Sequence, residues 1–166
     1  MDSTQPHEAF SRRPGDGWVE CTCGSRHWGL HGAAGLLLAR HTPSGTIDVV
    51  LQHRSLASHQ GGTWGVPGGA VDPDESALEG ALREAHEEAA IEPTDVEPFD
   101  ELVLDHGPWR YTTILAWLAP DAPGFVYASD PESLEIRWVP ADGVAALPLL
   151  PAFAAAWPSL RARLEA

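Results

Sequence analysis

Hydrophobic and polar positions along the chain fall into short blocks whose period changes as the chain proceeds. From Gly32 to Arg40 the run GAAGLLLAR is apolar, and Ile47 to Arg54 (IDVVLQHR) is rich in β-branched residues, with turn residues at Thr42 to Gly45 between them. Short apolar runs bounded by turn formers are strand signals, so the pair predicts a β-hairpin. Further on, Pro98 to Leu104, Tyr111 to Leu118 and Ile136 to Val139 read as strands, and Ala141 to Leu147 and Leu150 to Leu164 as helices. Strands before and after helices predict an α/β fold with a mixed β-sheet covered on both faces.

The clearest helix signal lies between these blocks. Ser76 followed three residues later by Glu79 is a capping-box pattern, and strong helix formers run from Ala77 to Ala90 until Pro93 stops them. With Leu78 at zero on a helical wheel, Leu82, Ala85 and Ala89 fall within about 40° of it. That stripe predicts the face turned toward the sheet. Glu84, Glu87 and Glu88 fall at about 240°, 180° and 280° on the same wheel, a carboxylate cluster predicted to point away from the stripe. The preceding stretch, SLASHQGGTWGVPGGAVDPDES, is broken by Gly61, Gly62, Gly65, Gly68 and Gly69 and by Pro67, so it reads as a loop able to bring backbone carbonyls close to a ligand.

A length of 166 residues suits one domain. Residues 1–16 lack periodicity and are rich in Ser, Pro, Gly and Arg, which predicts a flexible N-terminal lead-in to a single domain over 17–166. No stretch approaches the roughly 18 uninterrupted apolar residues of a membrane span, and the N-terminus is polar where a signal peptide would be apolar. The expected location is therefore cytoplasmic, with no membrane partner. Cys21 and Cys23 are too close for an ordinary structural disulfide and too few for an extracellular framework, which agrees with a reducing compartment.

Charge narrows the chemistry. The 24 acidic residues outnumber the 10 basic ones, all of which are Arg, and the net charge is −14. Without Lys there is no Schiff-base nucleophile and no P-loop. Such negative charge also excludes a protein that coats nucleic acid. Asp72 to Glu101 holds twelve of the 24 acidic side chains and one Arg, Arg83. Like charges at i, i+3 and i+4 repel by a few tenths of a kcal/mol per pair, and a divalent cation would turn that repulsion into binding. Oxygen ligands select hard ions, Mg²⁺ first with Mn²⁺ able to substitute. A solvated acidic face is the alternative.

Gly69, five residues, Glu75, seven residues, then Arg83, Glu84, Ala85, His86, Glu87, Glu88, Ala89, Ala90 and Ile91, preceded by Trp64-Gly65-Val66-Pro67-Gly68, resembles the Nudix box. That pattern is Gly-x5-Glu-x7-Arg-Glu-U-x-Glu-Glu-x-Gly-U, with U a bulky aliphatic residue. Ala85 is smaller than usual, and Ala90 stands where the box has a glycine, which puts a left-handed turn after the helix at a cost. The resemblance implies the Nudix α/β/α sandwich and metal-assisted attack of water on a nucleoside diphosphate linked to a further group. It also implies Glu84, Glu87, Glu88 and the Gly69 carbonyl as metal ligands, and Arg83 orienting Glu84 or Glu75. Water activation would fall to a box glutamate, Glu84 first, or to Glu132 or Glu135 on a later loop.

Other positions carry weaker signals. Trp109 and Tyr111 are placed to stack on a base or sugar, or simply to pack. Arg54 leads into the glycine loop and is the foremost phosphate-binding arginine, ahead of Arg40 and Arg110. Cys21, Cys23, His27 and His31 are zinc-binding types, but Cys-x-Cys is tighter than the usual spacing, which weighs against zinc; Cys23-Gly24 then reads as the turn of a hairpin running from Trp18 to Cys21 and from Trp28 onward. A nucleotide-sensing module on the same scaffold is the competing function, and intact carboxylates argue against it. An isomerase acting on a prenyl diphosphate would need a catalytic cysteine, whereas Cys21 and Cys23 precede the sheet. The apolar segment with Phe153 and Trp157 leaves packing within the chain or across a homodimer open.

Overall fold

The structure is a computed structural model that describes residues 13–166. Of the expected lead-in, residues 1–12 lie outside the described residues. Arg13 to Asp16 form a turn tied to the body, in which the Gly15 N–H donates to Asp72 Oδ1 at 3.3 Å.

The long apolar block forms β3 (Ala33–His41), after a small hairpin of β1 (Trp18–Glu20) and β2 (Arg26–Trp28). Its expected hairpin partner is β4 (Ile47–Arg54), paired antiparallel with Ala39 opposite Val49. Two short strands follow in the glycine loop, β5 (Trp64–Gly65) and β6 (Gly68–Ala70); then come α1 (Ala77–Ala89), β7 (Val96–Asp105), β8 (Arg110–Leu118), β9 (Ser133–Pro140), a single turn α2 (Ala141–Val144) and α3 (Pro151–Glu165). The main sheet runs β5-β4-β3-β8-β7, with β6 also pairing with β3 and β9 with β4. β3 and β8 are parallel and the other pairs antiparallel, so the sheet is mixed, as expected.

β3 is buried on both faces, which is why its pattern is continuous rather than alternating. Leu36 and Leu38 face α1 together with Val50 and Ile114, while Leu37 faces α3 together with Val49, Leu51 and Leu115. Each such side chain contributes about 2 kcal/mol by leaving water. Phe153 and Trp157 fill the α3 side, so the apolar C-terminal segment packs within the chain. Among the described residues no helix is long and apolar enough to cross a membrane.

The helix α1 begins as expected: Ser76 Oγ accepts from Glu79 N and Glu79 Oε1 from Ser76 N, each at 3.1 Å. Its buried face differs from the expected stripe. Leu78 is 36% exposed and Leu82 half-buried, whereas Ala81, Ala85 and Ala89 are fully covered. Small side chains let the helix backbone approach the sheet, and this rotates the contact line toward Ala81. Glu88 then lies at the margin of the buried face and is 1% exposed, so the glutamates do not all point away from the core.

Ala90 ends α1 in the left-handed region, φ 58° and ψ 27°, where the family pattern has glycine. Its N–H donates to the Ala85 and His86 carbonyls, closing the helix end at the expense of Cβ strain. Ala90→Gly is expected to raise stability by about 1 kcal/mol, measured as a higher urea midpoint at unchanged slope; a lower midpoint would contradict the strain.

Candidate active site

Gly69 on β6 faces α1 at very close range. A Cβ at this position would lie 2.7 Å from the carboxyl carbon of Glu84, so only glycine lets the strand backbone and the Glu84 carboxylate meet. Arg83 fixes that carboxylate from the other side. Its Nη1 donates to Glu84 Oε1 at 2.8 Å, while Nε and Nη2 grip both oxygens of Glu75 at 2.7 and 2.8 Å and Nη2 also reaches the Ala70 carbonyl at 3.0 Å. The expected choice between Glu75 and Glu84 is resolved in favour of both, since a planar guanidinium can serve two carboxylates at once. Glu75 is held below the ordinary carboxylate range by Arg83.

Glu84 is mostly buried, and burial, opposed by Arg83 and assisted by Glu87 and Glu132, pushes its carboxyl up to about 7. Glu88 sits deeper. Burial and then its neighbours Glu132, Glu84 and Asp130 hold it well above the ordinary range. Its oxygen accepts from two neutral donors, Gln52 Nε2 at 3.2 Å and the Gly68 N–H at 3.0 Å. Glu87 is one-third exposed, 3.5 Å from Arg83 and in contact with Arg13 Nη2.

Two further carboxylates arrive from the loop before β9. Ser129 donates through its N–H to the Glu88 carbonyl at 3.1 Å and through Oγ to the Glu87 carbonyl at 2.6 Å, which seats that loop on the C-terminal turn of α1. Oxygens of Glu88, Asp130 and Glu132 consequently lie within 4.8 Å of one another. Asp130 is pushed up to about 6, chiefly by burial. Glu132, expected from the sequence, thus joins the centre. Glu135 does not: it lies on β9, half exposed and 3.5 Å from Arg137.

Sequence reasoning missed Asp130 and Gln52. Gln52 was detectable, as a polar residue two positions after Val50 in an apolar strand and so on the helix-facing side. Asp130 had no local signal, because only the return of the loop to α1 gives it meaning.

The donor set fits a hard divalent cation. Carboxylates crowd a partly buried centre where the Arg83 guanidinium is already occupied by Glu75 and Glu84, and the buried Gln52 Oε1 has no hydrogen-bond partner among the described residues. Oxygen ligands in this arrangement suit Mg²⁺ or Mn²⁺.

The residues expected to hold substrate are differently placed. Tyr111 is largely covered on the α3 side of the sheet, its hydroxyl so close to Gly35 and Gly68 that a Cβ there would come within 2.2 and 2.8 Å of it. Arg54 is bound through Nε and Nη2 to the His59 carbonyl at 3.2 and 3.1 Å. Trp109 stacks on His27, with centroids 4.1 Å apart and planes at 12°, so one face of its ring is already covered. Arg40 pairs with Asp48 and lies over Trp138, and Arg110 lies 3.5 Å from Asp105.

A mixed sheet between helices, with a glycine strand opposite a glutamate-bearing helix, defines a hydrolase of the Nudix class. The NUDIX domain family profile matches residues 29–161, and the chain belongs to that family. It is 48% identical over 158 residues to a Mycobacterium tuberculosis protein provisionally named 8-oxo-dGTP diphosphatase 3, covering 90% of this chain and 70% of that one. It is 52% identical over 155 residues to a nucleoside triphosphate pyrophosphatase/Nudix hydrolase fusion protein of Bifidobacterium longum; the match covers 92% of this chain and 32% of that longer protein. The crystal structure of RenU, a Nudix hydrolase from Mycobacterium smegmatis, superposes with a TM-score of 0.83 at 44% identity, covering 91% of this chain and 96% of that one.

Glu84 titrates in the fold at about 7 against an ordinary 4.5. Between those values the folded chain keeps a proton that the unfolded chain has lost, so this contribution is full below 4.5 and fades as pH rises through about 7. In chelator, thermal unfolding is expected at higher temperature as pH falls through that window, with a shallower dependence in Glu84→Gln. An equal dependence in both would sink the assignment. Gly69→Ala is expected to keep the fold while displacing the Glu84 carboxylate, read as unchanged circular dichroism and weakened Mn²⁺ binding by calorimetry.

Proposed function

We propose that the chain hydrolyses a diphosphate linkage in a nucleoside triphosphate or a nucleoside diphosphate derivative, in a reaction that depends on Mg²⁺, with Mn²⁺ able to substitute. The observation that carries this reading is the meeting of the Glu84, Glu88, Asp130 and Glu132 carboxylates beside Gly69 with so little positive charge to balance them. The ligands would be Glu84, Glu87, Glu88 and the Gly69 carbonyl, with Asp130 and Glu132 adjoining. When bound, the cations supply neutralisation of the diphosphate, a lowered pKa for attacking water and stabilisation of the leaving oxygen.

The chain's own groups do the rest. Arg83 holds Glu84 and Glu75 in place, so that the carboxylate does not reorganise during the reaction. Glu84, oriented by Arg83 beside Gly69, is the first choice as the group that accepts a proton from water. Glu132 is the alternative base, and Glu135 falls behind it because it lies outside the carboxylate centre. Arg54, held at the entrance of the glycine loop by the His59 carbonyl, remains the candidate substrate contact, whereas the Tyr111 hydroxyl is covered. The name of the mycobacterial relative supports testing oxidised guanine nucleotides first. A nucleotide-sensing role would leave the crowded carboxylates without a purpose.

Purified protein offered a panel of nucleoside triphosphates, 8-oxo-dGTP and dinucleoside polyphosphates is expected to release phosphate, pyrophosphate or nucleotide only with Mg²⁺ or Mn²⁺. Glu84→Gln should lower kcat by about three orders of magnitude. Turnover unchanged in that variant, or undiminished in chelator, would exclude the reading.

A further inference from the structure

A second cluster of metal-binding side chains shares no residue with the carboxylate centre. It begins in the β1–β2 hairpin, a two-stranded sheet separate from the main one. Its strands are three residues long, and a hairpin of that size is marginal in water by itself. Cys21 N donates to the Ser25 carbonyl and Gly24 N to the Cys21 carbonyl, each at 3.1 Å, with Gly24 at φ +91°. This tight turn brings the sulfurs of Cys21 and Cys23 to one side, so the short Cys-x-Cys spacing that weighed against a metal is no obstacle.

The remaining members are His27 on β2 and His106 in the β7–β8 turn. His31, the residue the sequence suggested, stays outside the cluster, and His106, 79 positions after His27, takes its place. Cys23 Sγ lies 3.1 Å from His27 Nε2, Cys21 Sγ 3.5 Å from His106 Nδ1, and the two ring nitrogens 3.2 Å from each other. All four atoms fall within 4.8 Å of one another. With zinc–nitrogen bonds near 2.0 Å and zinc–sulfur bonds near 2.3 Å, a tetrahedron has N···N edges of about 3.3 Å, N···S edges of about 3.5 Å and an S···S edge of about 3.8 Å. The nitrogen–nitrogen and nitrogen–sulfur separations already approach those edges.

We propose that Cys21 Sγ, Cys23 Sγ, His27 Nε2 and His106 Nδ1 form a structural zinc site that fastens the N-terminal hairpin to the β7–β8 turn. Two thiolates balance the charge of the ion, and soft sulfur with imidazole selects zinc over the hard ions suited to the carboxylate centre. Four protein ligands leave no open position, which marks the site as structural rather than catalytic. The ligands are held from behind. Trp109 stacks on His27 and donates through Nε1 to the Trp28 carbonyl at 3.1 Å, and His106 N donates to the Trp109 carbonyl at 2.9 Å. Trp109, which sequence reasoning aimed at a substrate base, thus supports the zinc ligand His27.

The test is metal analysis of full-length protein purified without a polyhistidine tag from zinc-supplemented culture. Wild type is expected to hold zinc at a ratio near one per chain, and so are His31→Ala and Glu84→Gln. The Cys21→Ser/Cys23→Ser and His106→Ala variants should hold almost none. As a check that does not depend on those variants folding, zinc-stripped wild type titrated with Co²⁺ should develop thiolate-to-cobalt charge-transfer and tetrahedral d–d absorption. Thermal unfolding in Mg²⁺ should fall when a zinc-selective chelator is added. Wild type without zinc and without the cobalt spectrum would overturn the proposal, as would zinc retained in the double serine variant or a Cys21–Cys23 disulfide found by mass in the freshly purified protein.

Discussion

Glu88 lies under the C-terminal half of α1 with water excluded from its carboxyl, and Glu84, Glu132 and Asp130 stand around it. Taking one carboxylate out of water costs several kcal/mol, and placing others beside it adds repulsion in a medium of low dielectric. A fold retains such a group only by keeping it protonated, by pairing it, or by giving it a cation. The Arg83 guanidinium is turned to Glu75 and Glu84 instead. The surrounding structure is organised to keep this charge concentrated.

Backbone approach makes the concentration geometrically feasible. Gly69 lets β6 come against the Glu84 carboxylate, and Ala81, Ala85 and Ala89 let α1 lie low on the sheet, which draws Glu88 into the covered region. At the far end of the helix, Ala90 turns the chain through a left-handed conformation so that Ile91 can enter the core. The exposed carbonyls of Glu87 and Glu88 then receive Ser129, and that contact carries Asp130 and Glu132 to the site. Helix capping and site assembly are here one set of hydrogen bonds, which couples the stability of the helix end to the position of two carboxylates about forty residues away in sequence.

The chain's periphery is tied down by long-range polar contacts rather than by core burial. Arg13 reaches Asp72 and Glu87, and the β1–β2 hairpin is held through Trp109 and the cysteine–histidine cluster. Such attachments suit short strands that bury little apolar area of their own. They also bring two potential metal centres of opposite chemical character into one domain, one all oxygen and one sulfur and nitrogen.

Local pattern was enough to read β3, β4, α1 with its Ser76–Glu79 cap, and the mixed α/β class, because period, capping residues and turn formers act over a few positions. It was enough, too, to group Glu84, Glu87 and Glu88 on one helix, while the resemblance to the Nudix box added Gly69 and Arg83. Local pattern could not decide which face of α1 is buried, because a wheel centred on Leu78 ignores that alanines permit the closest packing and so shift the contact toward Ala81. Nor could it bring Asp130 to Glu88, separate Glu132 from Glu135, or replace His31 by His106. Those choices depend on loops returning across the sheet, and such returns are set by the packing of the whole core rather than by any short stretch of residues.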